Sequence, residues 1–225
     1  MKNLKNSFCL ILLFSVVLSI SSVAQETKSE LNVTADLVSN YIWRGSKFGK
    51  GPAIQPGIKL NAGGFTLGAW GSYCLSDEEA PEADLYTSYS FGPVSIGLSG
   101  YYFPGSDFFK TENHAFEING ALKQGILSLS ANWILNEGAG SKGNDLYFEA
   151  GIAAGKVNLT AGAGNGWYTP SGKFNLCNLG ISTSKEISVT DSFKIPLTGS
   201  AILNPATEQF YIVVGISLWI ISSTL

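Results

Sequence analysis

Apolar and polar residues alternate with a period of two along most of the chain beyond residue 30, and helical spacing is nowhere sustained. Residues 31–44 show it most cleanly. Leu31, Val33, Ala35, Leu37, Tyr41 and Trp43 take odd positions and Asn32, Thr34, Asp36, Asn40 and Arg44 even ones, so a strand would place the two sets on opposite faces. Comparable segments follow at 53–62, 65–76, 84–91, 94–103, 114–122, 126–136, 144–154, 157–168, 174–184, 193–203 and 210–219. The pattern predicts twelve strands, an even number.

The connections carry a second regularity. Gly63-Gly64, Gly92-Pro93, Lys123-Gln124-Gly125 and Gly155-Lys156 read as tight turns, each after an even-numbered strand. Odd-numbered strands lead instead into longer polar loops at 45–52, 77–83, 104–113, 137–143, 169–173 and 204–209. Short turns at one end and long loops at the other, with strands near ten residues, predict an all-β, antiparallel transmembrane β-barrel of the bacterial outer membrane with both termini in the periplasm. The connection 185–192 is longer than this rule wants.

A soluble β-sandwich also has one apolar and one polar face, so the placement of aromatic residues decides between the two folds. On the apolar parity they gather at strand ends: Tyr41, Trp43, Tyr73, Tyr102, Phe116, Trp133, Phe148, Trp167 and Phe210 toward the long loops, Phe65, Phe91, Phe193 and Trp219 toward the short turns. Two such girdles suit membrane interfaces, whereas a sandwich core would hold its rings centrally. Pro56 and Pro196 fall inside strands where each removes a ladder donor, and bulges are the expected remedy. A slip of the apolar phase between Phe174-Leu176 and Leu179-Ile181 reads as a further bulge. Ile220 to Leu225 extends past the last expected strand.

The N-terminus adds an export signal. Lys2 and Lys5 precede an apolar run from Phe8 to Ile20 that ends in Ser22-Val23-Ala24, so residues 1–24 are expected to be a signal peptide and 25–225 the barrel domain; a retained anchor is the alternative. Without Lys2 and Lys5 the 14 basic residues become 12 against 17 acidic, a net charge of −5 that argues against nucleic acid as a partner. Cys74 and Cys177 are the two mature cysteines, too few for a disulfide framework.

Chemistry has few footholds. His114 is the only histidine, and the position two residues on, where an interfacial lipid hydrolase would want a serine, holds Phe116; no enzymatic activity is expected. The acidic stretch Asp77, Glu78, Glu79, Glu82, Asp84 lacks calcium-loop spacing and reads as a solvated loop; no metal and no cofactor are expected. Gly162, Gly164 and Gly166 have no helix after them and leave interior space rather than a nucleotide loop. The inward parity is the best candidate for function. Asp36, Asn40, Arg44, Lys59, Glu117, Asp145, Glu149 and Lys194 would line a narrow lumen and select small hydrophilic solutes by charge and size. The alternative is a plug in which these charges pair and close the bore, leaving a structural or adhesive barrel. Outer-membrane lipid, lipopolysaccharide and the barrel-assembly machinery are the other expected partners.

Val38-Ser39-Asn40-Tyr41-Ile42-Trp43-Arg44-Gly45, followed by Pro52-Ala53-Ile54-Gln55-Pro56-Gly57, resembles the porin-like outer-membrane proteins of the TorF family. Gly68-Ala69-Trp70-Gly71-Ser72-Tyr73 and Asn204-Pro205 are consistent with it. The resemblance, strongest over the first third of the chain, implies a barrel and passive transport and supplies no catalytic residues.

Overall fold

The computed structural model describes residues 29–76, 81–190 and 194–224, with side chains as far as Leu218. The expected signal peptide, most of the 77–83 loop and Phe193 lie outside the described residues, as does the Trp219 side chain. Twelve antiparallel strands close into one barrel: β1 (Ser29–Val38), β2 (Ala53–Ala62), β3 (Phe65–Cys74), β4 (Glu82–Phe91), β5 (Val94–Tyr102), β6 (His114–Gln124), β7 (Leu127–Ile134), β8 (Leu146–Ala154), β9 (Val157–Gly164), β10 (Asn175–Ser188), β11 (Lys194–Asn204) and β12 (Gln209–Thr224). Each pairs with its neighbours in the chain, and β12 returns to β1, from Val38 opposite Gly215 to Glu30 opposite Thr224. Closure gives every strand a partner on both sides, which a backbone in hydrocarbon requires.

Glycine sets the short turns. Gly63 and Gly64 both have positive φ, the geometry of a two-residue hairpin turn that matches strand twist. Gly92, Gly125 and Gly155 supply the left-handed first residue of the other three. The turn expected at Lys123-Gln124-Gly125 is therefore Gly125-Ile126, and β6 keeps Lys123 and Gln124. The first half of the long connection expected at 185–192 is strand: β10 reaches Ser188, which pairs with Lys194.

The first strand departs most from its pattern. It ends at Val38, because the next residue caps the ladder: the Ser39 amide donates to the Val214 carbonyl at 2.8 Å and its Oγ accepts from the Val214 amide at 3.0 Å. The chain then bends inward. Tyr41–Trp43 pairs with Ser46–Phe48 around Arg44-Gly45, whose φ angles of 50° and 83° make a two-residue hairpin turn. Tyr41 and Trp43 therefore stand inside the barrel, not in a lipid-facing girdle, and the same correction applies to Trp167, which a short 3₁₀ turn (Gly166–Tyr168) carries inward after β9 has ended at Gly164. A hairpin has the same period of two as the strand it replaces, so alternation alone could not separate them. A smaller hairpin, Glu137–Gly138 with Ser141–Lys142, occupies the loop between β7 and β8.

Neither proline makes a bulge. At Pro56 the ladder between β2 and β3 lapses between the pairs Ile54–Tyr73 and Gly57–Trp70 while its register holds, and Gln55 Nε2 of the side chain donates to Ser72 Oγ at 3.3 Å across the gap. Pro196 keeps its register opposite Glu186 of β10 and stands just beyond the β11–β12 ladder, which starts at Leu197. The bulges fall elsewhere. One lies opposite Gly162/Ala163 and turns both Cys177 and Asn178 inward, as the slipped phase of the tenth strand predicts. The other lies between Val33/Thr34 and their partners Ile221 and Trp219, and carries β12 on through the tail to Thr224, whose role is to complete the closing ladder.

The outer surface is apolar. Leu67, Leu129, Leu159, Ile181 and Val214 are exposed along the wall, with Phe65 and Phe91 at the short-turn end and Tyr73, Trp133, Phe148 and Phe210 at the long-loop end. Asp36, Lys59, Asp84, Glu117, Glu149 and Lys194 share the opposite parity of their strands. Greasy outside and polar inside is the reverse of a soluble core and is the arrangement of a transmembrane barrel.

Candidate functional site: a plug in the long-loop half of the lumen

Glu117 of β6 is the centre of the interior. Its side chain has no exposed surface, and it accepts from five donors: Arg44 Nη1 and Nη2 at 2.5 and 2.9 Å, Tyr101 at 2.9 Å, Tyr168 at 2.8 Å, and Asn119. A buried carboxylate is tolerable only when it is paired and bonded this fully. Arg44 comes from the tip of the inward hairpin, opposite β6, and meets the carboxylate as a two-pronged fork. Its guanidinium also lies over the rings of Trp43, Tyr147 and Tyr168 at 4.7, 4.5 and 5.1 Å, which stabilises a cation removed from bulk water. Burial, only partly offset by the Arg44 charge, pushes the Tyr168 phenol above its ordinary range, so it stays a neutral donor to Glu117.

The hairpin spans the bore. Tyr41 packs 5.4 Å from Trp70 of β3 and lines one pocket with Glu82 at the start of β4; Trp43 lies 5.5 Å from both Tyr101 and Trp167. On the far side Gly45 rests on β10: a Cβ there would stand 1.9 Å from the Cys177 carbonyl, so contact with the bulge admits only glycine. Asn204, fully buried at the end of β11, donates to the Gly45 carbonyl at 3.0 Å while its Oδ1 accepts from the amides of Ala206 and Thr207. The three glycines 162, 164 and 166 do leave interior space, and it is occupied. A Cβ on Gly162 would meet the Tyr147 hydroxyl, on Gly164 the Tyr168 ring, and on Gly166 the Asp145 carboxylate.

The eight expected lumen residues divide. The structure brings together Arg44, Glu117 and, through Tyr147, Glu149, which accepts from Tyr147 at 2.6 Å and Asn178 at 3.0 Å. Asp145 is not in a strand but precedes β8, buried under the long loops and bonded by Ser141 at 2.6 Å. Asp36 and Asn40 stay near the root of the hairpin, half-buried, with Asp36 in register with Gln55 and Ser217. Lys59 is exposed toward the short-turn end, and Lys194 pairs at 3.3 Å with Glu186 at that rim. Sequence reasoning missed Glu82, which is buried in β4 rather than solvated in a loop. It also missed Tyr101, although Tyr101 shares its parity with Ser95 and Ser99, and the inward ring of Tyr168.

Residues 24–190 match the model of a family described as "Bacterial protein of unknown function (Gcw_chp)". The chain belongs to that family. No curated protein is similar to it in sequence. Among solved structures it is similar to a variant of the Rh. blastica porin, with 12% identity, a TM-score of 0.41, and coverage of 74% of this chain and 55% of the porin, so that it spans about half that porin's length. It is also similar to the outer membrane phospholipases of Salmonella typhi and Escherichia coli. These are both 14% identical over 85% of this chain, with TM-scores of 0.42 and 0.40 and coverage of 90% and 96% of the other chain. Membership gives this Gcw_chp protein no activity by itself, so its function must be read from the interior.

His114 lies on the outward parity at the long-loop end. Its ring stacks on Tyr102 at 5.0 Å and Phe116 at 5.9 Å, and Nε2 lies 2.6 Å from the Phe108 carbonyl. Cys177 is buried in the β10 bulge with its thiol directed to the Gly162 carbonyl, while Cys74 Sγ on β3 lies 3.1 Å from Ser76 Oγ. Among the described residues no three His, Cys, Asp or Glu side chains converge as a metal site would need.

Proposed function

We propose that the protein is an outer-membrane barrel with both termini in the periplasm, whose lumen is a narrow, closable route for small hydrophilic solutes. The observation that carries this reading is the nature of the closing element. The bore is blocked by a hairpin outside the barrel ladder, held by side-chain contacts centred on Arg44 and Glu117. Below it the inward wall is mostly Ser, Thr, Gly and Asn with a few lysines, and Lys59, Ser90, Lys123, Ser128, Asn158 and Thr198 are all exposed. Small hydroxylated side chains leave a wet axis, and twelve strands stand between filled barrels of about 8 strands and wide channels of about 16. The resemblance of residues 38–45 to the TorF porin-like family supports the same reading, with Arg44 and the inward acids setting the field a solute meets.

The proposed role involves no catalytic step. The bonding of His114 Nε2 to a backbone carbonyl supports that, since a general base would have to give the contact up. Planar-bilayer recording tests the proposal. Wild type gives small or intermittent conductance, and Glu117→Gln, which strips Arg44 of its counter-charge, raises open time several-fold. A second reading, a closed structural or adhesive barrel, is favoured by the five-fold saturation of Glu117. It predicts silence in wild type, in Glu117→Gln and in a chain lacking residues 41–48, and that outcome overturns the first reading.

A further inference from the structure

Beneath the hairpin, on its β9–β11 side, lies a cavity of about 240 Å³. At about 30 Å³ per water this is room for about eight waters or one small solute. Ile42 and Arg44 form its ceiling, and Thr160, Asn178, Ser182 and Ser200 are in its wall. The hydrogen-bonding state of these groups defines what fits. Arg44 spends three of its five N–H groups on Glu117 and Tyr168, and the other two have no partner among the described residues. Asn178 spends both amide hydrogens, on the Tyr147 hydroxyl and on Glu149, so the group it offers the cavity is an acceptor oxygen. The hydroxyls of Thr160, Ser182 and Ser200 are bonded to no other described group, and each can both donate and accept.

We propose that this cavity is a binding site for a neutral polyhydroxylated solute of about monosaccharide size. Each hydroxyl of such a solute needs a donor and an acceptor, and the cavity offers both within one wall, with Ile42 and Ile202 as apolar surface for its C–H faces. An anion fits poorly. Glu117 already neutralises Arg44, Glu149 stands behind Asn178, and the Asn178 oxygen would oppose a second acceptor. The site takes from the proposed function only that the short-turn half of the lumen is wet. It deepens that reading by naming the solute class.

Calorimetric titration of the detergent-folded full barrel with D-glucose, and separately with inorganic phosphate, tests the assignment, beside the Ser200→Ala and Ser200→Phe variants. Folding of each is checked by its gel shift on boiling. Saturable glucose binding is expected, weakened several-fold by Ser200→Ala and at least tenfold by Ser200→Phe, whose ring fills the cavity; phosphate is expected not to compete. No saturable glucose binding to folded wild type, binding indifferent to Ser200→Phe, or preference for phosphate each overturns the site. Liposome-swelling assays on the same protein separate the two proposals. Binding without passage retains the site and removes the conduit, whereas passage of glucose without saturable binding does the reverse.

Discussion

At the scale of single residues, two positions hold the plug in place by different physics. Glu117 does so by charge. Its replacement by glutamine leaves the Arg44 cation buried with no counter-ion, an error that costs about 3–5 kcal/mol, and the midpoint of urea unfolding should fall accordingly while channel activity rises. An unchanged midpoint would mean that the carboxylate is solvated and the plug loose. Gly45 does so by the absence of a side chain. Gly45→Ala adds the strain of a left-handed non-glycine residue, about 1–2 kcal/mol, to a clash with the Cys177 carbonyl. Hydrogen exchange should quicken in residues 41–48 and stay slow in the barrel ladder. The sequence showed Glu117 as an inward charge, because parity along β6 reports which side a residue faces; Arg44, also expected inward, lies there because the hairpin carries it in together with Tyr41 and Trp43 of the other parity. The pairing of Arg44 with Glu117 was not legible, since 73 residues separate them and no local pattern encodes the contact.

At the scale of elements, the strand count, the alternation of short turns with long loops and the bulge in β10 were all readable from the sequence, because each leaves a local trace in parity or in glycine placement. The inward hairpin was not, for the reason that its own alternation continues that of β1. Only Ser39 capping the ladder and the Arg44-Gly45 turn mark the break, and neither is conspicuous in a chain with 26 glycines. The treatment of Pro56 is a further case. The register between β2 and β3 persists across a gap in their ladder, so a donor is missing but no residue is extra. Pro56→Ala should restore that donor, stabilise the barrel by about 1 kcal/mol, and give residue 56 a slowly exchanging amide. A fast-exchanging amide there would show that the gap has another cause.

At the scale of the whole molecule, the barrel has two unlike halves. The long-loop half is filled by an ionic and aromatic plug drawn from the hairpin, the wall and the 3₁₀ turn; the short-turn half is lined by small polar groups and open to water. This division lets one chain keep a continuous apolar exterior while holding a buried ion pair in its axis, and occlusion is shared between the hairpin, the wall residues that hold it and the 3₁₀ turn. Which surfaces meet acyl chains decides whether the apolar wall is the outside of a transmembrane barrel. A nitroxide accessibility scan in lipid vesicles over residues 127–134 and 41–48, one label per variant, tests this most directly. Labels at 127, 129, 131 and 133 should be relaxed by oxygen dissolved in the bilayer, with their neighbours at 128, 130 and 132 out of phase, and no position from 41 to 48 should report lipid. Lipid contact at Tyr41 and Trp43, or no period of two along β7, would rule out a lipid-facing wall around an inward hairpin.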